Sequence, residues 1–454
     1  MSASGLNKVE KKAAFSLAAV FGLRMLGLFM ILPVFALYGQ ELIGYSPLWL
    51  GLAIGAYGLT QALLQIPMGI LSDKFGRKPV ILAGLLVFLL GSVVAAMSDT
   101  VYGVVFGRAL QGMGAIASAV LALAADLSRE EQRSKVMATI GMFIGLSFTA
   151  AMIIGPVVAE GFGLSGLFWF TAILTVLAMA MIQFVVPFSV NKSPRGDNVA
   201  LPEKLGQLFK APQLARLNFG VFVLHMVLTA CFVSLPKLFV SAGLPLANHW
   251  QLYLPVLLGA FVLMVPLMIY GLKKQKEKQV FILSISLMII AMLLLFTASH
   301  SLTMLVVCLL LFFVAFNYLE ASMPSILSRL APAGVKGSAM GIYSSSQFFG
   351  AFLGGAIGGL IASIWSEQAI YLVMASVLAV WLLWSLTMAP LVKSKSYSLA
   401  VNTSNEQQTQ TLASQISELP GVLEATLVHE EAVAYLKIDE QQADLAQIKA
   451  LLQA

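Results

Sequence analysis

The chain has 454 residues, 59% of them hydrophobic and only 11% charged, with a net charge of +6 and a mean hydropathy of +0.90. A soluble domain carries roughly a quarter of its residues charged, so this composition excludes an ordinary water-soluble globule. The positive balance forms no basic stripe with interleaved aromatics, which argues against nucleic acid as a partner.

Twelve apolar runs follow in order, covering roughly 15–39, 48–71, 80–97, 102–125, 136–158, 164–188, 215–240, 250–271, 280–299, 302–327, 338–363 and 368–389. Each is near the ~20 residues needed to cross ~30 Å of hydrocarbon as a helix. Lys8, Lys11 and Lys12 precede the first run. That run is too long for a signal-peptide core and no small-residue cleavage site follows it, so it is expected to stay in the bilayer. Lysine and arginine occupy the N-terminus, alternate loops and Lys393 with Lys395, while the intervening loops contain none. By the positive-inside rule, both termini are cytoplasmic. Cys231 and Cys308 lie inside predicted helices and read as packing thiols; no metal site or cofactor is expected.

The polar connection 189–214, with Pro194, Pro202 and Pro212, divides six runs from six. A shift of 203 residues lays Arg133-Ser134-Lys135-Val136-Met137 over Lys336-Gly337-Ser338-Ala339-Met340, and Ala151 and Gly155 over Gly354 and Gly358. Two six-helix halves related by a repeat suit a carrier that rocks about a central site. The expected units are an N-terminal bundle 1–188, a cytoplasmic linker 189–214, a C-terminal bundle 215–393 and a cytosolic domain 398–454.

Gly69-Ile70-Leu71-Ser72-Asp73-Lys74-Phe75-Gly76-Arg77-Lys78 is a short charged turn wedged between the second and third runs. Gly76 permits a tight backbone turn, and Asp73 is suited to accept from the free amides at a helix N-terminus. Helix 11, beginning near Gly337 and Ser338 on the same membrane face, offers such amides, and Asp126 is placed to pair with Arg77. The equivalent turn of the second half, 271–279, keeps its basic residues but has no acid matching Asp73 and no glycine matching Gly76.

This decapeptide resembles the loop 2–3 signature of the major facilitator superfamily. The resemblance implies an all-α polytopic fold of twelve transmembrane helices in two six-helix halves, and a latch of Gly69, Asp73, Gly76, Arg77, Lys78 and Asp126 that locks the halves while the cytoplasmic side is closed. Arg108-x-x-Gln111-Gly112-x-Gly114 resembles a motif proposed for proton transfer in proton-coupled members. Gly155-Pro156 resembles the core of an antiporter-associated kink, although Ala151 and Ala159-Glu160 depart from its glycines. The chain is thus similar to the drug:proton antiporters of the superfamily, which places it in a bacterial inner membrane.

Other polar residues inside predicted spans are candidates for substrate and ion sites, since such groups are costly in hydrocarbon. Arg24, Gln61, Gln65 and Asn317 are read as lining a substrate cavity. Arg108, Gln111, His225 and Glu320 are read as proton-coupling residues, with a titratable imidazole and an embedded carboxylate as the chemistry. The glycines at 350, 354, 355, 358 and 359 read as close helix packing.

After Lys395 the composition turns polar and acidic. A strand at 398–402, a helix at 405–418, strands at 422–428 and 432–438 around His429-Glu430-Glu431, and a helix at 441–453 are predicted. That order, with Leu419-Pro420-Gly421-Val422 at the turn, resembles the small α/β ferredoxin-like domain of heavy-metal-associated modules. The two metal-binding thiolates are missing, since the first strand-to-helix loop is Asn402-Thr403-Ser404-Asn405-Glu406-Gln407. The domain is expected to contact the cytoplasmic loops or another copy.

No phosphate-binding loop or nucleophile set beside a base appears, so the chain is not expected to be an enzyme. The preferred expectation is a proton-coupled exporter of small molecules working by alternating access in the lipid bilayer. An uptake symporter on the same fold, and a membrane sensor regulated by its C-terminal domain, are the alternatives.

Overall fold

The computed structural model describes residues 5–188, 206, 208, 210–297, 301–332, 335–389, 395–401, 406–428, 432–439 and 442–453. Most of the expected linker 189–214 lies outside the described residues, as do 299–300, Lys393, 402–405 and the turn at 429–431.

The first crossing is α1 (Lys8–Phe29) continued by α2 (Leu32–Tyr38). It starts seven residues before the apolar run because Asn7 and Glu10 form a reciprocal capping box, each bond 2.8 Å. It breaks at Met30 and Ile31, just ahead of Pro33. Then come α3 (Pro47–Phe75), capped by Ser46, and α4 (Arg77–Ala96). The fourth run is not the single helix expected. It divides into α5 (Val101–Met113) and α6 (Ala117–Asp126) around Gly114.

α7 (Glu130–Phe184) carries the fifth and sixth runs together. Gly163, at φ 64° and ψ −166°, turns the chain back. Ser165 Oγ donates to the Ala96 carbonyl at one end of α4, and Lys78 at the other end donates to Val186, so residues 165–186 run antiparallel to α4. The second half is α8 (Pro212–Ser241), α9 (His249–Lys273), α10 (Glu277–Thr297), α11 (Leu302–Leu330), α12 (Lys336–Ile364) and α13 (Ala369–Leu386). Among the described residues, eleven segments are long and apolar enough to cross a bilayer. One of them, Lys135–Val185, spans 51 residues and contains the Gly163 reversal, which makes it two crossings.

Glycine decides how the helices meet. A Cβ on Gly155 would come 2.6 Å from the Met30 carbonyl oxygen, so α7 rides directly on the break between α1 and α2. The repeat places Gly358 in the same relation to Ala230 of α8. Gly350 and Gly354 press α12 onto the Phe222 and Met226 carbonyls of α8, its own half. On the other side of α12, Gly355 and Gly359 meet Gly51 and the Pro47 carbonyl of α3 in the other half, while Phe348 and Phe352 cover Gly58 and Gly55. Backbones this close gain dispersion contacts that larger side chains would forbid.

The tail is a three-stranded antiparallel sheet, β1 (Lys395–Ala400), β2 (Val422–Val428) and β3 (Val433–Ile438), in the order β1-β3-β2. α14 (Glu406–Ser417) and α15 (Leu445–Gln453) pack on it around Ile416, Leu436, Ile448 and Leu452. β1 starts three residues earlier than expected, at Lys395. Lys437 of β3 reaches the Ala331 carbonyl at the end of α11, 3.4 Å away, and burial there pushes its ammonium pKa down.

Substituting Gly355→Leu forces a side chain into the α3 backbone, at about 1–3 kcal/mol of overpacking. The distance between spin labels at Ile43 and Trp365, both exposed at this end, should lengthen. An unchanged distance in a folded variant would show that the seam is not close-packed.

Candidate functional site

Gly76 ends α3 and begins α4 at φ 96°, ψ 150°, a conformation that side chains disfavour. Arg77 is thereby the first residue of α4 and turns inward. Its guanidinium meets Asp73 at 2.6 Å, Asp126 at 3.1 Å, and Ser72 Oγ at 2.8 Å. Ser72 in turn donates to the Gly69 carbonyl, 2.7 Å away. A Cβ on Gly69 would lie 3.1 Å from Ser118 Oγ, so its absence lets α3 approach α6. The expected Arg77–Asp126 pair is thus present, and Asp126 is only 2% exposed. Deleting the arginine would strand a buried carboxylate, at about 3–5 kcal/mol. Lys78 takes a separate task. Its ammonium donates to the Val186 carbonyl at 2.5 Å and sits 3.9 Å from the Phe188 ring centroid.

The second half repeats this clip with the charges exchanged. Glu277, first residue of α10, is held by both terminal nitrogens of Arg329 at the end of α11, one of them at 3.2 Å. Lys278 donates to the carbonyls of Leu386 at 3.0 Å and Met388 at 2.5 Å, as Lys78 does to Val186. Sequence reasoning missed this pair because it searched for an acid at the place of Asp73. The structural counterpart is Arg77, 200 positions before Glu277. The partners are 49 residues apart in one half and 52 in the other, which is the signal that would have found them.

In the interior of the first half, Arg24 is fully buried rather than facing an open cavity. Its Nη2 donates to the Gly114 carbonyl at 2.8 Å, an acceptor freed by the break between α5 and α6, and to Gln61 at 3.0 Å. Gln61 passes a bond to Gln65 at 2.8 Å. Among the described residues, Arg24 Nε and Nη1 have no hydrogen-bond acceptor within reach, and the Tyr57 ring lies against the guanidinium. Arg108 donates to the Ala53 carbonyl and, at 2.8 Å, to Gln111, which donates to Ser92. The Tyr57 ring lies 5.7 Å from the Arg24 guanidinium and 5.3 Å from that of Arg108. The Arg108 partners are therefore amides and an aromatic face, with no carboxylate among them. Gly155-Pro156 is the close approach of α7 to Met30, with Pro156 inside the helix.

Titratable groups meet in the second half. Gln347 of α12 stands between His225 of α8 and Glu320 of α11, its amide nitrogen 2.8 Å from His225 Nε2 and 3.2 Å from Glu320 Oε1. His225 Nδ1 lies 3.2 Å from the Val221 carbonyl. Glu320 Oε2 is 3.7 Å from His225 Nε2 and has no hydrogen-bond partner among the described residues. Asn317, a turn earlier on α11, is not hydrogen-bonded into this cluster. The structure thus joins His225 and Glu320 and leaves Arg108 and Gln111 in the other half.

At the end of the bundle opposite Asp73, Lys237 of α8 donates to Glu367 at 2.6 Å and, across the halves, to the Tyr45 hydroxyl at 3.2 Å. A cavity of about 410 Å³ beside it is lined by Ser234, Lys237, Glu367 and Tyr371 among others. Mid-bundle, Phe148 of α7 and Phe313 of α11 face each other across the halves with ring centroids 6.0 Å apart.

Comparison with known proteins agrees with this architecture. The chain is 44% identical to the inner membrane transport protein YajR of Escherichia coli (strain K12) over 97% of both chains. It is 25% identical to the quinolone resistance protein NorA of Staphylococcus aureus (strain MRSA252), over 78% of this chain and 91% of that one. The solved structure of a bacterial homologue of the human lysosomal transporter Spinster, in an inward-facing and occupied conformation, covers 86% of this chain and 98% of its own at a TM-score of 0.66 and 12% identity, a likeness of fold. The family model of the Major Facilitator Superfamily matches residues 17–316 and 273–420. Twelve crossings in two halves, the Gly69 to Lys78 turn and these matches together show that the chain is a membrane transporter and belongs to the Major Facilitator Superfamily.

Proposed function

We propose that the chain is a proton-driven exporter of small molecules in a bacterial inner membrane, with both termini cytoplasmic and the two halves alternating access to a central site. The observation that carries the reading is the His225–Gln347–Glu320 cluster. Glu320 stands ten residues, or ~15 Å, from the end of α11. An ionisable group at that depth is expensive unless it serves a function. The His225 imidazole beside it, its Nε2 3.7 Å from Glu320 Oε2, is a second side chain able to exchange a proton. Export is supported by the relative named as a quinolone resistance protein. The aromatic face formed by Phe148, Phe313 and Phe316 suits an apolar or amphiphilic cargo.

The Asp73 turn supplies the latch. Arg77 holds Asp73 at the C-terminal end of α3, and Ser338 in the first turn of α12 is fully buried. In the outward-facing state, Asp73 would cap the α12 amides of the other half. Lys237, Glu367 and Tyr45 would do the opposite work at the far end.

Replacing Glu320→Gln should spare folding and abolish accumulation driven by a pH gradient, read as dye or drug flux in proteoliposomes. Intact proton-driven flux in that variant would remove Glu320 from the coupling step.

Asp73→Asn should lose on the order of 1 kcal/mol of helix-end stabilisation and shift the population toward the inward-facing state. Cysteine accessibility measured on both faces, together with transport rate, tests this. Wild-type values for both would end the latch proposal.

The tail acts as a modulator through its Lys437 contact with the end of α11. Removing residues 395–454 should leave a bundle that inserts and transports at an altered rate. Identical transport at every salt and pH would show that the tail has no such part.

A further inference from the structure

With a neutral imidazole at His225, the hydrogen-bond pattern at Gln347 has one assignment. A carbonyl oxygen only accepts, so the His225 Nδ1 facing Val221 carries the ring proton, and a neutral ring then leaves Nε2 as an acceptor. Gln347 Nε2 has two protons, one for His225 Nε2 and one for Glu320 Oε1. Turning the amide over would set its oxygen against a carboxylate oxygen and a ring lone pair. The arrangement therefore fits neutral His225 and ionised Glu320. A proton arriving on His225 Nε2 would face the amide N–H protons, donor against donor. The amide must then turn over or swing away, and Glu320 Oε2, 3.7 Å off and without a hydrogen-bond partner, is the waiting acceptor.

Gln347 is also mechanically placed. Three residues on, Gly350 abuts the Phe222 carbonyl of α8, while the neighbouring Phe348 covers Gly58 of α3 in the other half. Ser345 donates across the seam to the Ala62 carbonyl of α3 at 3.0 Å. A displacement at Gln347 cannot stay local, because α12 is packed on backbone at both faces.

Resting on the proton-coupled reading above, we propose that Gln347 is the positioning residue of the proton site. It has one amide orientation for neutral His225 and another for the protonated ring, and it passes that change to the seam between the halves. The titratable groups around it are His225 from α8, Glu320 from α11 and Tyr343 from α12, whose hydroxyl is buried without a hydrogen-bond partner. The stretch of α3 facing it, residues 58–62, carries no ionisable side chain.

The test uses the full chain in lipid nanodiscs with spin labels at Ile43 and Trp365, and protons as the only ligand. The wild-type label distance should respond to pH, and nitrogen-15 histidine spectra should show a ring protonated at Nδ1 at high pH. Gln347→Leu, which cannot bridge, should flatten the distance response. Gln347→Glu keeps the length but can only accept, as the turned-over amide does, and should move the response midpoint up by about one pH unit or more. Loss of the response in one variant and an upward shift of its midpoint in the other are beyond a merely structural role, and the second keeps the test available if the leucine variant does not fold. Wild-type responses in both, while Glu320→Gln abolishes the response, would overturn the Gln347 proposal and leave the proton site standing. A response unaffected by Glu320→Gln and His225→Phe would overturn the proton reading, and this inference with it.

Discussion

The structure depends on the backbone-to-backbone contact of α12 with two neighbours. α8 takes its 350, 354 and 358 face, and α3 of the other half takes its 355 and 359 face. Each approach leaves no room for a Cβ, so α12 can neither roll nor slide without disturbing one half or the other. The same helix carries Gln347 between the imidazole and the embedded carboxylate. Chemistry and mechanics thus meet on one rod, whose counterpart in the opposing half is α7 riding on Met30.

The two halves share a frame but not a chemistry. The first buries two arginines around Tyr57 and answers them with carbonyls, amides and rings. The second holds a histidine and a glutamate joined through the Gln347 amide. Arg24 and His225 sit 201 positions apart, near the repeat offset. One half therefore keeps guanidinium groups where the other keeps an imidazole and a carboxylate.

Most of the bundle was legible in the sequence because hydropathy acts on whole segments. Twelve crossings, the two halves, the Arg77–Asp126 pair and the α/β order of the tail all follow from composition, periodicity and motif spacing. What escaped depended on tertiary events. Arg24 looked like a cavity residue because nothing local reveals that Gly114 will free a carbonyl beside it. Glu277 looked like one more charge in a basic turn because its meaning lies in Arg329, on a different helix. Gln347 stood in a polar run of serines and shows its place only once three helices converge.

The exchanged clips have a consequence for how the chain assembles. Arg77 with Asp126 and Glu277 with Arg329 close loops of about fifty residues, each inside one half, and Lys78 and Lys278 tie each half's third helix to its sixth. Loop closure of this length costs little more than that of a much shorter loop. The first half can thus close its clip as it leaves the ribosome, before the second exists. The glycine seam, with the Ser345 and Lys237 bonds that cross it, waits for both halves, so the joint between them is the last to be made.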